Sequence, residues 1–233
     1  SHFTDDSVMT LAVAEIMQKG YMTNSGKITA TFQKWGKNFI NAGYGERFIR
    51  WLLSENPQPY GSYGNGAAMR VSPVAWYSDS AGEVKEYARA VTQVTHNHPE
   101  GLKGAEVTAM CVYYARIGYT KKSIRKYAEQ YYDFDYENLR KSNFHDDESC
   151  QKTVPQAIYC SLVSNSFDDC LRTAVFIGGD CNTIGRSGRK HRSRAKKLLD
   201  IKAPEFVEFY MGAGNFLYIS NDLQPAFEKR HRG

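Results

Sequence analysis

Two short stretches near opposite ends of the chain, Thr4-Asp5-Asp6 and Asp180-Cys181-Asn182-Thr183, constrain what it can fold into more than any other feature. Each gathers hydroxyl, carboxylate or amide oxygens within one turn, and hard oxygen donors suit Mg²⁺ or Mn²⁺ in near-octahedral shells. As halves of one metal site, they require the first and last core helices to meet. Each stretch also has a plainer account, because Ser/Thr-Asp-Asp is a common helix N-cap that satisfies free N–H groups and complements the helix dipole.

The segments between these motifs carry helical periodicity. From Asp6 to Met17, Val8, Met9, Leu11, Ala12, Val13, Ile16 and Met17 form a wide apolar face. Thr31 to Trp35 and Arg47 to Leu53 continue the pattern, with Gly43-Tyr44-Gly45 as a break between them. Pro57, Pro59, Gly61, Gly64 and Gly66 mark a long loop whose small residues let a ligand or metal approach the backbone. Ser80-Ala81-Gly82-Glu83 reads as a capping box opening a further helix. Leu102 to Arg116, Lys121 to Tyr132, Val154 to Val163 and Phe167 to Ile177 complete an all-α single compact bundle, since no strand alternation of useful length is present. The chain has 233 residues, 42% of them hydrophobic, enough for a substantial core. No apolar run approaches the ~20 residues that span a bilayer, so the expectation is no membrane partner and a cytoplasmic location. The five cysteines include no CxxC pair and are expected to be reduced, mostly buried thiols.

Three further stretches invite a chemical account. Gly64-Asn65-Gly66-Ala67 leads into the helix-like Ala67-Ala68-Met69-Arg70. Free N–H groups at a helix start favour phosphate, although a Gly-x-Gly pair alone is equally a turn. Arg70 reads as a charge-assisted phosphate donor or as a structural ion-pair partner. His96 and His98 flank Asn97 before Pro99; Mg²⁺ does not favour imidazole, and loop hydrogen bonding and packing account for both. Tyr60 and Tyr63 are among several tyrosines suited to stack on an aromatic base. Asp146-Asp147-Glu148 reads as a solvated helix start before Cys150, or, beside Ser149-Cys150-Gln151, as a contact to the pocket.

In order along the chain, Phe3-Thr4-Asp5-Asp6-Ser7-Val8-Met9-Thr10, Gly64-Asn65-Gly66-Ala67-Ala68-Met69-Arg70, Thr95-His96-Asn97-His98-Pro99-Glu100-Gly101 and Gly178-Gly179-Asp180-Cys181-Asn182-Thr183 together resemble the ADP-ribosylglycohydrolase family. The resemblance runs from Ser1 to about Gly185. It implies an all-α domain over 1–185 that hydrolyses the glycosidic bond between ADP-ribose and an acceptor, on an ADP-ribosylated protein or small-molecule substrate. It implies two divalent cations, Mg or Mn, held by Thr4, Asp5, Asp6, Asp180, Asn182 and Thr183, with Asp5 and Asp6 as ligand or catalytic base. Gly64, Asn65, Gly66 and Ala67 would lie against the diphosphate and ribose, joined by Arg70, with His96 bordering the pocket. The transition state would carry oxocarbenium character.

Three departures qualify the resemblance. Asn182 stands where the family has aspartate, so the site loses a negative charge and should hold a divalent ion more weakly. The chain starts at Ser1, without the glycine- and aspartate-containing helix the family usually carries upstream, which points to a fragment or a misassigned start. After Gly185, where the family continues into a small-residue helix, Arg186 to Lys197 holds seven Lys or Arg residues and no acid. That segment, 186–233, is either a basic patch for nucleic acid or the product of a reading-frame slip. The codons CGC AGC GGC AGG AAG CAT CGC encode Arg186 to Arg192. Shifted by one base they encode Ala-Ala-Ala-Gly-Ser-Ile and an alanine start, and the cost of placing charge in a packed helix favours the slip. The alternatives to hydrolysis are a catalytically impaired ADP-ribose-binding protein and a basic nucleic-acid-binding protein on the same scaffold.

Overall fold

The computed structural model describes residues 4–135 and 148–166, together with 139, 169, 170 and 172–174. These residues form helices and connecting loops, with no strand among them, as expected of an all-α chain. In order they are α1 (Asp5–Gln18), α2 (Ser25–Asn38), α3 (Glu46–Leu53), a single 3₁₀ turn (Asn65–Ala67), α4 (Ser72–Tyr77), α5 (Ala81–Gln93), α6 (Pro99–Arg116), α7 (Lys121–Ala128) and α8 (Cys150–Val163). The expected helix over Phe167 to Ile177 and the basic segment lie largely or wholly outside the described residues.

Local sequence explains most boundaries. Asn24 starts α2, its side chain accepting from Lys27 N at 3.0 Å. Ser80 does the same for α5, accepting from Glu83 N at 3.2 Å, while the Glu83 carboxylate reaches back one residue further than a capping box, to Asp79 N. His98 caps α6 through Nδ1, which accepts from Glu100 N, and Pro99 occupies a first-turn position that needs no donor.

α6 is the central helix. It packs against α4, α5, α7, α8 and the 3₁₀ turn, and Gly101, Gly104, Ala105, Val107, Ala109, Met110, Cys111 and Val112 are buried along it. Helix α1 packs on α2 and α4 and is buried over Val8–Met17 without a break, so it belongs to the core rather than to an amphipathic shell. Two glycines allow close helix crossings. A Cβ on Gly36 of α2 would lie 2.5 Å from the Leu52 side chain of α3, and one on Gly104 would lie 2.7 Å from Cys150 Sγ at the start of α8. Cys111, Cys150, Cys160 and Cys170 are free and buried, as the lack of paired spacing implies. Burial pushes the Cys150 and Cys111 thiols up to about 12, which keeps them protonated and unreactive.

Candidate functional site

The first turn of α1 presents Thr4, Asp5 and Asp6. Thr4 occupies the N-cap backbone position, extended at φ −88° and ψ 164°, yet its side chain makes no capping hydrogen bond. Its hydroxyl donates to Asp6 Oδ2 at 3.3 Å, and Asp6 is only 8% exposed. The Thr4 hydroxyl and the Asp6 carboxylate therefore meet at the helix end, while Asp5 N donates to Ala42 O and ties the turn to the α2–α3 connection. Asp180, Asn182 and Thr183, expected to complete this site, lie outside the described residues. Among the described residues no three His, Cys, Asp or Glu side chains form a metal-holding group. What the described part contributes is one hydroxyl and two carboxylates, hard donors of the kind a Mg²⁺ or Mn²⁺ ion takes as part of a larger set.

The glycine-rich segment approaches α1 a little further along. Thr10 donates to Met69 O at 3.3 Å, and Thr10 lies four residues, about 6 Å of helix rise, from Asp6. Ala67 to Arg70 does not begin an α-helix. Asn65–Ala67 makes one 3₁₀ turn, and α4 starts only at Ser72, where Pro73 fits the first turn. The N–H groups of Ala67, Ala68 and Met69 donate to Gly64 O, Asn65 O and Asn65 O, closing the turn on itself. The expected phosphate cradle at a helix N-terminus is thus replaced by a self-bonded turn.

That turn is held from two sides. On one, Asn65 N donates to Glu148 O at 2.6 Å and Cys150 N donates to Tyr63 O at 2.8 Å, so Gly64 pairs with Ser149 as an isolated antiparallel bridge. Cys150 Sγ donates to Gly64 O at 3.2 Å. On the other side stands His96, whose Nε2 would be 3.1 Å from a Cβ on Gly66 and 3.9 Å from one on Gly64. Glycine at 66 therefore lets the imidazole edge come up against the loop backbone.

His96 is 5% exposed and sits among polar partners. Thr95 Oγ1 lies 2.7 Å from Nδ1, and Arg70 Nη2 lies 3.5 Å from the same atom. Burial first, then the positive charges of Arg70 and Arg47, hold the imidazole well below its usual range, so it is neutral across physiological pH. Arg70, which the sequence left open between a ligand donor and a structural ion-pair partner, is 1% exposed. Its Nη2 donates to Thr95 Oγ1 at 2.7 Å and its guanidinium lies 4.6 Å from the Phe32 ring centroid. Burial lowers it to about 10, which still leaves it charged. Arg70 therefore stands behind His96 rather than beside it, and the ion pairs among the described residues leave it out.

The loop before Gly64 is pinned over His96. Tyr60 N donates to Thr95 O, Gly61 N donates to Asn97 Oδ1 at 2.7 Å, and the Tyr60 ring lies 6.0 Å from His96. Arg47 donates to Tyr60 O and packs over its ring. Tyr63 is 48% exposed and lies 5.2 Å from the His98 ring. Sequence alone assigns no role to Thr95 or Asn97, and for the Glu148–Cys150 stretch it offers a pocket contact but not the backbone strap. Thr95 and Asn97 carry a signal in retrospect, since they flank a buried histidine, but the strap depends on a backbone pairing between segments more than eighty residues apart. Of the acidic patch, only Glu148 is described; it is exposed, and its carbonyl holds Asn65.

The family model described as ADP-ribosylglycohydrolase matches residues 1–186. The ADP-ribosyl-[dinitrogen reductase] glycohydrolase of Rhodospirillum rubrum is 28% identical over 193 residues, covering 78% of this chain and 65% of that protein. ADP-ribosylhydrolase ARH3 of Mus musculus is 29% identical over 131 residues, covering 50% of this chain and 35% of that protein. The chain thus spans just under two thirds of the first relative's length and about a third of the second's. A solved structure described as an ADP-ribosylglycohydrolase-related protein complex shares the fold, with a TM-score of 0.60 and 19% identity, covering 97% of this chain and 78% of that one. With the family model matching most of its length, the chain belongs to the ADP-ribosylglycohydrolase family.

Proposed function

We propose that the chain hydrolyses the bond joining ADP-ribose to an acceptor on an ADP-ribosylated protein or small molecule. The observation that carries this is that α1, whose first turn bears the Thr4-Asp5-Asp6 oxygens, is bonded through Thr10 to Met69 just after the Gly64–Ala67 turn, with neutral His96 against that turn. Family membership and the names of the relatives support the reaction class.

Thr4, Asp5 and Asp6, with Asp180, Asn182 and Thr183, would hold two divalent cations. When bound, such ions orient ribose hydroxyls and lower the pKa of a water. The chain's own residues do the rest. Gly64, Asn65, Gly66 and Ala67 would lie against the diphosphate and ribose as a closed turn rather than as a row of free N–H groups, and His96 borders them without bringing positive charge. Asp5 and Asp6 place negative charge where the anomeric carbon develops positive charge, and one of them takes the water's proton. The water oxygen bonds to the anomeric carbon, and the acceptor leaves with the bonding pair and a proton.

The test is release of free ADP-ribose from an ADP-ribosylated protein, with Mg²⁺ or Mn²⁺ supplied. Asp6→Asn keeps the shape and removes a charge, and turnover should fall on the order of 100-fold or more, as when a ligand to a catalytic metal is lost. Unchanged turnover in Asp6→Asn would exclude this site as the seat of the reaction.

A further inference from the structure

Behind the glycine turn, three polar residues form a chain with a direction. Arg70 has donors and no acceptor. Its Nη2 lies 2.7 Å from Thr95 Oγ1, so the hydroxyl oxygen accepts there. The hydroxyl's own proton then has two destinations, Thr92 O at 3.4 Å and His96 Nδ1 at 2.7 Å. Hydroxyl hydrogen bonds cluster near about 2.7–2.8 Å and weaken steeply beyond, which selects Nδ1. A proton on Nδ1 would instead face the Arg70 guanidinium at 3.5 Å, charge against N–H dipole, in a buried setting that amplifies the conflict.

We infer that Arg70 and Thr95 are positioning residues: ordered donation from Arg70 to Thr95 to His96 Nδ1 fixes the imidazole as the tautomer protonated on Nε2, offering a neutral donor at the Gly64–Gly66 turn to an oxygen of the bound nucleotide's diphosphate. The identity of the ligand rests on the proposed function; the tautomer does not. The buried cation polarises the Thr95 hydroxyl and so strengthens its donation. The glycines matter for the same reason, because a side chain on Gly66 would come within 3.1 Å of Nε2 and cover the donor. The imidazole edge is in this way aimed by two residues that do not themselves reach the turn, and Phe32 holds the guanidinium from below.

The experiment is nitrogen NMR of the whole chain labelled at histidine, with His96 signals assigned by their loss in His96→Gln. The expected spectrum has an unprotonated Nδ1 and a protonated Nε2 in the free protein, preserved in Thr95→Ser, which keeps the hydroxyl. In Thr95→Val the Nδ1 donor is gone, the ring should become a mixture of tautomers, and ADP-ribose should bind about tenfold more weakly, the size of one lost hydrogen bond. Thr95→Ser should restore both readouts, which a general packing defect would not. A proton on Nδ1 in the unsubstituted protein would overturn the inference, as would a Thr95→Val protein that folds and keeps the single tautomer. If Thr95→Val does not fold, the spectrum of the unsubstituted protein decides alone. An Nε2-protonated ring in a folded chain that binds no ADP-ribose would uphold the relay and overturn the proposed function.

Discussion

Glu15 shows how one residue's environment sets a measurable property. It is 7% exposed in the last turn of α1, where an unpaired carboxylate would be costly. Burial pushes its carboxyl up, but Lys19 Nζ at 2.7 Å, Lys34 Nζ at 2.6 Å and Trp35 Nε1 at 2.6 Å from its oxygens more than offset this and hold it at about 2. The folded value lies below the 4.5 of the free group, so the cluster's contribution is complete above about pH 4.5 and fades as pH falls towards 2. A shift of that size corresponds to about 3 kcal/mol, and since both lysines are half exposed, screening reduces it to about 1–2 kcal/mol. Denaturant melts of Glu15→Gln should show that loss at pH 7 and a difference from the unsubstituted protein that shrinks at acid pH. A difference independent of pH would reject the ionic account. His96 adds a slope of the same sign: its folded value lies below the free imidazole's, so stability declines as pH falls below about 6.5.

At the scale of elements, the crossing of α6 and α8 couples the core to the site. Gly104 admits Cys150 to within contact of the α6 backbone, and the same Cys150 donates to Tyr63 O and Gly64 O. Gly104→Ala gains about 1 kcal/mol in helix propensity. Against that, its Cβ would meet both Sγ and Cβ of Cys150 at 2.7 and 2.8 Å, and such overpacking costs about 1–3 kcal/mol. The net expectation is a destabilised protein whose glycine turn is displaced, so that thermal stability and ADP-ribose affinity fall together; affinity retained at lower stability would show that the strap is not coupled to the turn. Most helices are legible from periodicity, α1 to within a residue at each end, but the short α4 gives no periodic signal and does not show in the sequence. The start of α2 was missed because Ser25, Gly26 and Lys27 carry no apolar signal, and its boundary comes from the Asn24 cap instead. Lys121 to Tyr132 was read as one helix, but regular structure ends at Ala128, and Tyr131 and Tyr132 follow in a turn whose aromatic content imitates a helical face. Ala67 to Arg70 was read as helix because its residues favour one; the Pro73 helix start and the closed 3₁₀ turn override that preference.

Across the whole molecule, the organising relation is between α1 and the loop that follows α3. The sequence order of motifs was enough to propose that they share a site, and the Thr10–Met69 contact brings two of them together. What order could not convey was depth. Arg70 lies in the fourth residue after Gly66 and looks in sequence like part of the same surface, yet the chain turns it inward beneath His96. Depth depends on the path of Val91, Thr92 and Thr95 along the end of α5, which wraps the guanidinium, and no local pattern encodes that. The described helices include none long and apolar enough to cross a membrane. The central claim is that these motifs form one metal-dependent ADP-ribose site, and the most direct measurement is calorimetric titration of ADP-ribose into the purified chain with Mg²⁺ or Mn²⁺, repeated with chelator. Binding that appears with metal and is lost with chelator is the predicted result; a folded chain that binds no ADP-ribose in saturating metal, or binds it equally in chelator, would contradict the account.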